Sequence, residues 1–133
     1  MSLTIVQHER EEVVILDLKG RLTAGEEVTR LRDTLTESAA GGASRMVLNM
    51  ADIDYVDSTG LGSLVICFTR LQKGGGALKL LNLNRRNIEL LVLTKLTTVF
   101  ELFDDEQEAV NSFFPDRKVR KFDILSFIQS QES

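Results

Sequence analysis

The spacing of apolar residues along the chain changes several times between strand-like runs and helical stripes. Two β-branched runs, LTIVQHE and VVILDLKG, are separated by REE, which is typical of a hairpin or of two consecutive strands. Residues 23–42 then place Val28, Leu31 and Leu35 on one helical face and end in a glycine pair, the pattern of an amphipathic helix. The first third of the chain therefore predicts two strands followed by a helix.

The middle of the chain predicts a strand that leads into a second helix. RMVLNM has the composition of a short buried strand, and IDYVD continues or follows it. From Ser58 onward the spacing becomes helical, with an apolar face formed by Leu61, Leu64, Val65, Phe68 and Leu71. The glycines of KGGG end this helix.

The last third repeats the alternation of strands and helices. ALKLLNL predicts a strand, RRNIELLVLTKL a third helix and TTVFELF a last strand. DDEQEAVNSFF predicts a fourth helix that ends at Pro115, because its acidic start suits a helix N-terminus. Strands alternating with helices predict an α/β domain in which helices pack on a mixed sheet.

The segment after Pro115 is basic first and then apolar, in the order DRKVRKFDILSFIQSQES. Its spacing predicts a short amphipathic helix beyond the core, with apolar positions at Ile124, Leu125, Phe127 and Ile128. Such a cluster is expected to cover either this chain's own sheet and helices or a second copy, so a homodimer is one possibility.

Composition narrows the class of protein. The 133 residues, 43% of them hydrophobic, suffice for one ordinary core. A net charge of −4 argues against nucleic acid as a partner. No apolar run approaches the roughly 20 residues that span a bilayer, and MSLTIVQHEREE lacks a secretory signal, so we expect a cytoplasmic protein without membrane contact. One cysteine, Cys67, and one histidine at the other end of the chain predict neither a metal site nor a cofactor.

The segment DIDYVDSTGLGSLV carries the most unusual chemistry of the sequence, because an acid, two hydroxyls and two glycines stand where a strand meets a helix. On residue chemistry alone, Asp57 or Ser58 can serve as a helix N-cap. Gly60 and Gly62 can allow the helix to pack closely against a strand. This structural interpretation needs no ligand and no reaction.

Enzymatic interpretations of the same segment lack essential residues. A dinucleotide fingerprint needs a glycine or alanine where Val65 stands. A hydrolase nucleophile elbow needs a glycine where Val56 stands, and nothing in the sequence pairs His8 with Ser58. Asp54 and Asp57 have no spacing that fits an acid and base pair. We therefore expect no enzyme, with a small serine hydrolase as the weakest alternative.

The order of motifs in the whole chain resembles the STAS domain, which is shared by anti-sigma factor antagonists and anion transporter tails. DIDYVDSTGLGSLV is followed by a helix, by ALKLLNL, by a polar helix and by KLTTVFELFDDEQEAVNSF. The most specific part of the resemblance is D-S-[ST]-G-L-G. It implies a STAS-like single domain over residues 1–114, with about four to five strands and about four helices, and a C-terminal extension over residues 115–133.

The resemblance also implies a function. In that family the first serine of the motif, here Ser58, is phosphorylated by a partner anti-sigma factor that is a serine kinase. The partner-binding segment would then be Asp57, Ser58, Thr59, Gly60, Leu61 and Gly62. Unphosphorylated protein would bind the kinase and free a sigma factor, and a phosphatase would reset Ser58. We expect the helix N-terminus to hold the phosphate. The alternative is a STAS accessory subunit of a lipid-transport or signalling complex without phosphorylation.

Overall fold

The structure is a computed structural model that describes residues 3–132, with the side chains of residues 3–130. The elements are β1 Leu3–Arg10, β2 Val13–Leu22, α1 Glu26–Ala40, β3 Arg45–Val56, α2 Ser58–Lys73, β4 Ala77–Leu81, α3 Arg85–Leu93, β5 Leu102–Phe103, α4 Glu106–Asn111 and α5 Ile124–Glu132. The five strands form one mixed sheet in the order β1-β2-β3-β4-β5, in which β1 is antiparallel to β2 and the other pairs are parallel. Among residues 3–132, no helix is long and apolar enough to cross a membrane.

The two opening runs form a hairpin, the first of the two arrangements that the sequence left open. Arg10 pairs with Val13 across a two-residue turn, and both turn residues, Glu11 and Glu12, have positive φ angles of 53° and 69°. Positive φ at both positions is the type I′ geometry that matches the twist of the flanking strands. The Glu11 carboxylate accepts hydrogen bonds from Arg117 at 2.7 Å and from Gln107 at 2.9 Å. These bonds fasten the turn to the C-terminal part of the chain.

Helices cover the two faces of the sheet unequally, as the alternation of buried side chains shows. On one face, Leu16 and Leu48 pack with residues of α1, α2 and α3 in the larger core cluster. On the other face, Ile15 and Val47 pack in a smaller cluster with α4, through Ala109 and Val110. The predicted fold class, a mixed sheet with helices packed on it, is confirmed.

The structure decides one boundary that the sequence left open and corrects another. IDYVD continues β3, the first of the two alternatives, so that β3 is a single strand of 12 residues. The predicted strand TTVFELF is wrong over most of its length, because Leu96–Thr98 is a 3-10 turn and only Leu102–Phe103 pairs with β4. Lys95 takes a left-handed φ of 62°, which turns the chain after α3, and Phe100 then enters the core. Burial, rather than strand pairing, explains this apolar run.

The C-terminal extension lies along the free edge of β5 and ends in α5. The backbone N–H of Phe122 donates to the carbonyl of Leu102 at 2.9 Å. Phe122 and Ile124 are partly buried against the larger core cluster, whereas the side chain of Leu125 is 72% exposed. Part of the apolar cluster predicted in the tail therefore covers this chain's own sheet. A homodimer formed through the exposed part of this apolar cluster stays a prediction.

We expect Phe122→Ala to lower the free energy of unfolding by about 2 kcal/mol, roughly half the loss for a fully buried phenylalanine. Leu125→Ala is the matched control, because removing an exposed side chain changes stability by only about 0.5 kcal/mol. Urea denaturation of both variants measures the difference. Equal losses would show that the extension does not hold the edge of β5.

Candidate functional site

The corner between β3 and α2 lies at the edge of the sheet where the parallel strands end. Val56 pairs with Leu22, the last residue of β2, and the Asp57 N–H donates to the Leu22 carbonyl at 3.2 Å. In open α/β sheets this edge is where ligands and partners usually bind. The N-terminus of α2 therefore lies at an edge of the sheet that is suited to binding, and a hydrogen bond anchors it to β2.

Asp57 is the N-cap of α2, one of the two residues, Asp57 or Ser58, that the sequence offered for this role. Its Oδ1 accepts from the Gly60 N–H at 2.7 Å, and its Oδ2 accepts from the Ala24 N–H at 3.0 Å. The Gly60 bond first, and the Ala24 bond second, lower the pKa of the Asp57 carboxyl. An ionised carboxylate thus ties the start of α2 to the loop that follows β2.

The same contacts occupy part of the helix N-terminus, because Asp57 accepts from the Gly60 N–H. That this helix end holds a phosphate on Ser58 stays a prediction. The pKa of Asp57 is lowered further by a backbone contact from Thr59. A phosphate on Ser58 would therefore lie beside the negative charge of the capping carboxylate.

The exposed side of this corner continues along α2. Ser58 and Thr59 are exposed as the first two helical residues. Gly62 lies one turn further, with no atom within 4 Å of a Cβ built on it, and Ile66 follows after another turn with 45% of its side chain exposed. We call these four residues the α2 ridge. Gly62 follows Ser58 by four residues and Thr59 by three, and Ile66 follows Gly62 by four, so these positions line up along one side of the helix.

Two members of the predicted partner-binding segment point inward instead. A Cβ built on Gly60 would lie 2.0 Å from the Leu22 carbonyl oxygen, so only glycine fits there. Leu61 is 8% exposed and belongs to the larger core cluster. Ser63, also buried, donates to the Gly60 carbonyl at 2.7 Å. Gly60 and Leu61 therefore position the helix, while the α2 ridge is the accessible surface.

Two asparagines beside the site were not identified from the sequence. Asn84 and Asn87 both donate side-chain N–H groups to the Ile53 carbonyl, at 3.0 and 3.3 Å. These bonds supply hydrogen-bond partners to β3 beyond the segment that pairs with β4, because β4 pairs only with Arg45–Asn49. Asn84 also caps α3 by accepting from the Asn87 N–H at 2.8 Å. A capping residue directly before RRNIELL was the available signal.

A serine hydrolase would need a histidine close to Ser58 to act as the general base. The single histidine, His8, pairs with Ile15 on β2, whereas Ser58 follows Val56, which pairs with Leu22. Ile15 and Leu22 are seven residues apart on β2, which corresponds to roughly 20 Å along a strand. No imidazole is within reach of the Ser58 hydroxyl.

The fold and the corner together match one known family. The model of the STAS domain family matches residues 4–109 of this chain. The chain belongs to the STAS domain family. An anti-sigma-B factor antagonist of Bacillus subtilis (strain 168) is 40% identical over 72 residues, which are 54% of this chain and 65% of that relative. The similarity to this STAS relative thus covers less than two thirds of its length.

Solved structures show the same STAS fold. A candidate anti-sigma factor antagonist from Thermotoga maritima has a TM-score of 0.76 at 23% identity, over 81% of this chain and 92% of that chain. The anti-sigma factor antagonist SpoIIAA in its unphosphorylated form has a TM-score of 0.64 at 21% identity, over 84% of this chain and 99% of that chain. The phosphorylated form of the Bacillus SpoIIAA also has a TM-score of 0.64, at 20% identity, over 83% and 99%. At these identities the likeness establishes the fold.

We expect Asp57→Ala to lower the free energy of unfolding by about 1 kcal/mol at neutral pH, because the N-cap is lost. The native pKa of Asp57 lies below its ordinary value of 3.8. Its contribution is therefore complete above that pH and disappears as the pH falls through the lowered native pKa. Urea denaturation between pH 7 and 2 measures this difference.

Asp57→Asn is the matched control for that prediction. Asparagine also caps helices, but its amide nitrogen cannot accept the Ala24 N–H that Oδ2 accepts. We expect a smaller loss than for Asp57→Ala. A stability gap between wild type and Asp57→Ala that is independent of pH would contradict the ionised cap.

Proposed function

We propose that this protein is an anti-sigma factor antagonist that works by partner switching. When Ser58 is unphosphorylated, the protein binds an anti-sigma factor that is also a serine kinase, and a sigma factor is freed. Phosphorylation of Ser58 ends this binding, and a phosphatase restores it. The observation that carries the proposal is the exposed Ser58 hydroxyl at the first position of a 16-residue helix, inside the sequence DSTGLG. The anti-sigma factor antagonists among the relatives support it.

The α2 ridge is the surface we assign to the kinase partner. Open space over Gly62 allows a partner's backbone to approach the helix closely. Ile66, with 45% of its side chain exposed, offers an apolar contact two turns from Ser58. Ser58 and Thr59 complete a continuous strip that a partner would cover. Phosphorylation would thus change the charge at one end of the docking surface.

Local charge explains how phosphate would end binding. The phosphate adds about −1.5 to −2 charges at neutral pH, next to an Asp57 carboxylate whose pKa is lowered by its hydrogen bonds. Since Asp57 occupies the helix N–H of Gly60, the phosphate is directed outward, toward the partner. Repulsion and the desolvation of this charge then weaken the interface, while the fold stays intact.

Phosphopeptide mass spectrometry tests the modified residue. We expect wild-type protein isolated from its own cells to carry phosphate on Ser58, and Ser58→Ala to carry none at this corner. Thr59→Ala is the matched control, because both hydroxyls are exposed and adjacent, and it should be phosphorylated like wild type. Phosphate that persists in Ser58→Ala and is lost in Thr59→Ala would move the site to Thr59.

The same experiment separates the alternative function. A STAS accessory subunit of a lipid-transport or signalling complex would use this surface without phosphorylation. Complete absence of phosphate from the wild-type peptide, in cells where the cognate kinase is active, would favour that alternative. Affinity purification under the same conditions would then recover the complex instead of a kinase.

A further inference from the structure

A polar cluster lies on the sheet face opposite α1 and α2. It brings together His8 of β1, Asp17 of β2 and Glu106, the first residue of α4. His8 Nδ1 lies 3.2 Å from Asp17 Oδ2, and His8 Nε2 lies 3.3 Å from Glu106 Oε1. One donor atom from each residue lies within 4.8 Å of the others. This cluster is separate from the α2 ridge.

Neighbouring side chains hold both carboxylates in place. Asp17 Oδ1 accepts from the Asn49 amide at 2.7 Å, which leaves Oδ2 directed at the imidazole. Glu106 Oε2 accepts from the Arg10 guanidinium at 3.0 Å, which leaves Oε1 directed at the imidazole. Outer hydrogen bonds that orient the ligands in this way are typical of metal sites in proteins.

The charge and donor set suit a divalent transition metal. Two carboxylates and one imidazole come together, and the Arg10 guanidinium contacts the Glu106 carboxylate. Ligand atoms at 2.0–2.2 Å from a tetrahedral zinc ion are roughly 3.3–3.6 Å apart. Asp17 Oδ2 lies 3.2 Å from His8 Nδ1, whereas Glu106 Oε1 lies on the Nε2 side of the ring. Imidazole favours zinc over magnesium or calcium.

We propose that His8, Asp17 and Glu106 bind one divalent transition-metal ion of the zinc type. The ion takes one imidazole nitrogen and one oxygen from each carboxylate, and water completes its coordination, since all three side chains are 30–40% exposed. Because Asp17 and Glu106 face different nitrogens of the ring, one of the two carboxylates must move to the other nitrogen when the ion binds. The bound ion would fasten α4 to the opening hairpin. This departs from the expectation that the chain has no metal site.

Isothermal titration of tag-free, chelator-treated full-length protein with Zn²⁺ tests the site. We expect one ion per chain for wild type and at least about 10-fold weaker binding for His8→Ala and for Glu106→Gln. Glu9→Gln is the matched control, because Glu9 is an exposed carboxylate next to His8 on β1 and lies outside the cluster. Its affinity should equal that of wild type. Excess Mg²⁺ should not displace Zn²⁺.

A loss of Zn²⁺ binding counts only in a variant that is still folded. Circular dichroism confirms that each variant is folded, and Zn²⁺ should raise the melting temperature of wild type and Glu9→Gln but not of His8→Ala. Wild-type affinity in His8→Ala, or the absence of saturable binding in wild type, would overturn the proposal and leave the three side chains as an ion-pair cluster.

Discussion

Gly60→Ala is expected to lower the free energy of unfolding by about 3 kcal/mol or more. The new methyl group would lie 2.0 Å from the Leu22 carbonyl oxygen and 2.9 Å from its carbon. Backbone atoms cannot rotate away as a flexible side chain can, so α2 or the end of β2 must shift. Alanine would otherwise be the better helix former by about 1 kcal/mol. Urea denaturation followed by circular dichroism measures the loss.

Gly62→Ala is the matched control in the same helix. Nothing lies within 4 Å of its added methyl group, so stability should be unchanged or higher by up to about 1 kcal/mol. We thus expect Gly60 to be required for the fold and Gly62 to act only at the surface. Equal destabilisation of both variants would contradict the close contact between Gly60 and Leu22.

Gly62→Ala also reports on the proposed docking surface. If a partner's backbone approaches α2 over Gly62, the methyl group should weaken binding while the fold remains intact. The change in the surface is one methyl group, so the effect should be smaller than that of phosphorylation.

Much of the fold was predictable because it follows from local spacing. The hairpin, α1, α2 and the order of elements follow from the spacing of apolar residues that lie close together in the sequence. The prediction for TTVFELF was wrong because β-branched and aromatic residues, which favour strands, occur here in a 3-10 turn and in a core residue that follows it. Phe100 is buried in the core without belonging to a strand, and only tertiary packing decides between these outcomes.

The site was predictable in part for the same reason. Asp57 at a joint between strand and helix indicates an N-cap from residue type alone. The reason for Gly60 lies in Leu22, a residue far upstream that only the pairing of β2 with β3 brings close. His8, Asp17 and Glu106 have no common spacing in the sequence, and they meet through the register of the hairpin and the position of α4.

Phosphorylation of Ser58 is expected to weaken binding to the kinase partner by a factor of about 30 to several thousand. Leaving a charge buried or unpaired at an interface costs roughly 2–5 kcal/mol, which corresponds to that range of affinity. Ser58→Asp should have a smaller effect, since a carboxylate carries one charge where phosphate carries nearly two. Wild-type affinity in Ser58→Asp, at matched salt, would count against release by charge.

The change should remain local. Because Asp57 keeps its bonds to Gly60 and Ala24, we expect amide shifts on phosphorylation around residues 56–64 and their contacts, with β1 and α4 nearly unchanged. SpoIIAA fits this chain with the same TM-score of 0.64 in its unphosphorylated and phosphorylated forms, so one fold accommodates both states there. Shifts spread evenly through the domain would indicate a global change.

The most direct test of the switch is one binding titration carried out twice on a single preparation. The unphosphorylated protein is titrated with its anti-sigma factor kinase, then phosphorylated on Ser58, verified by mass and titrated again at the same salt concentration. We predict an affinity lower by at least about 30-fold after phosphorylation, with the same circular dichroism spectrum. Equal affinity of the two forms would contradict it.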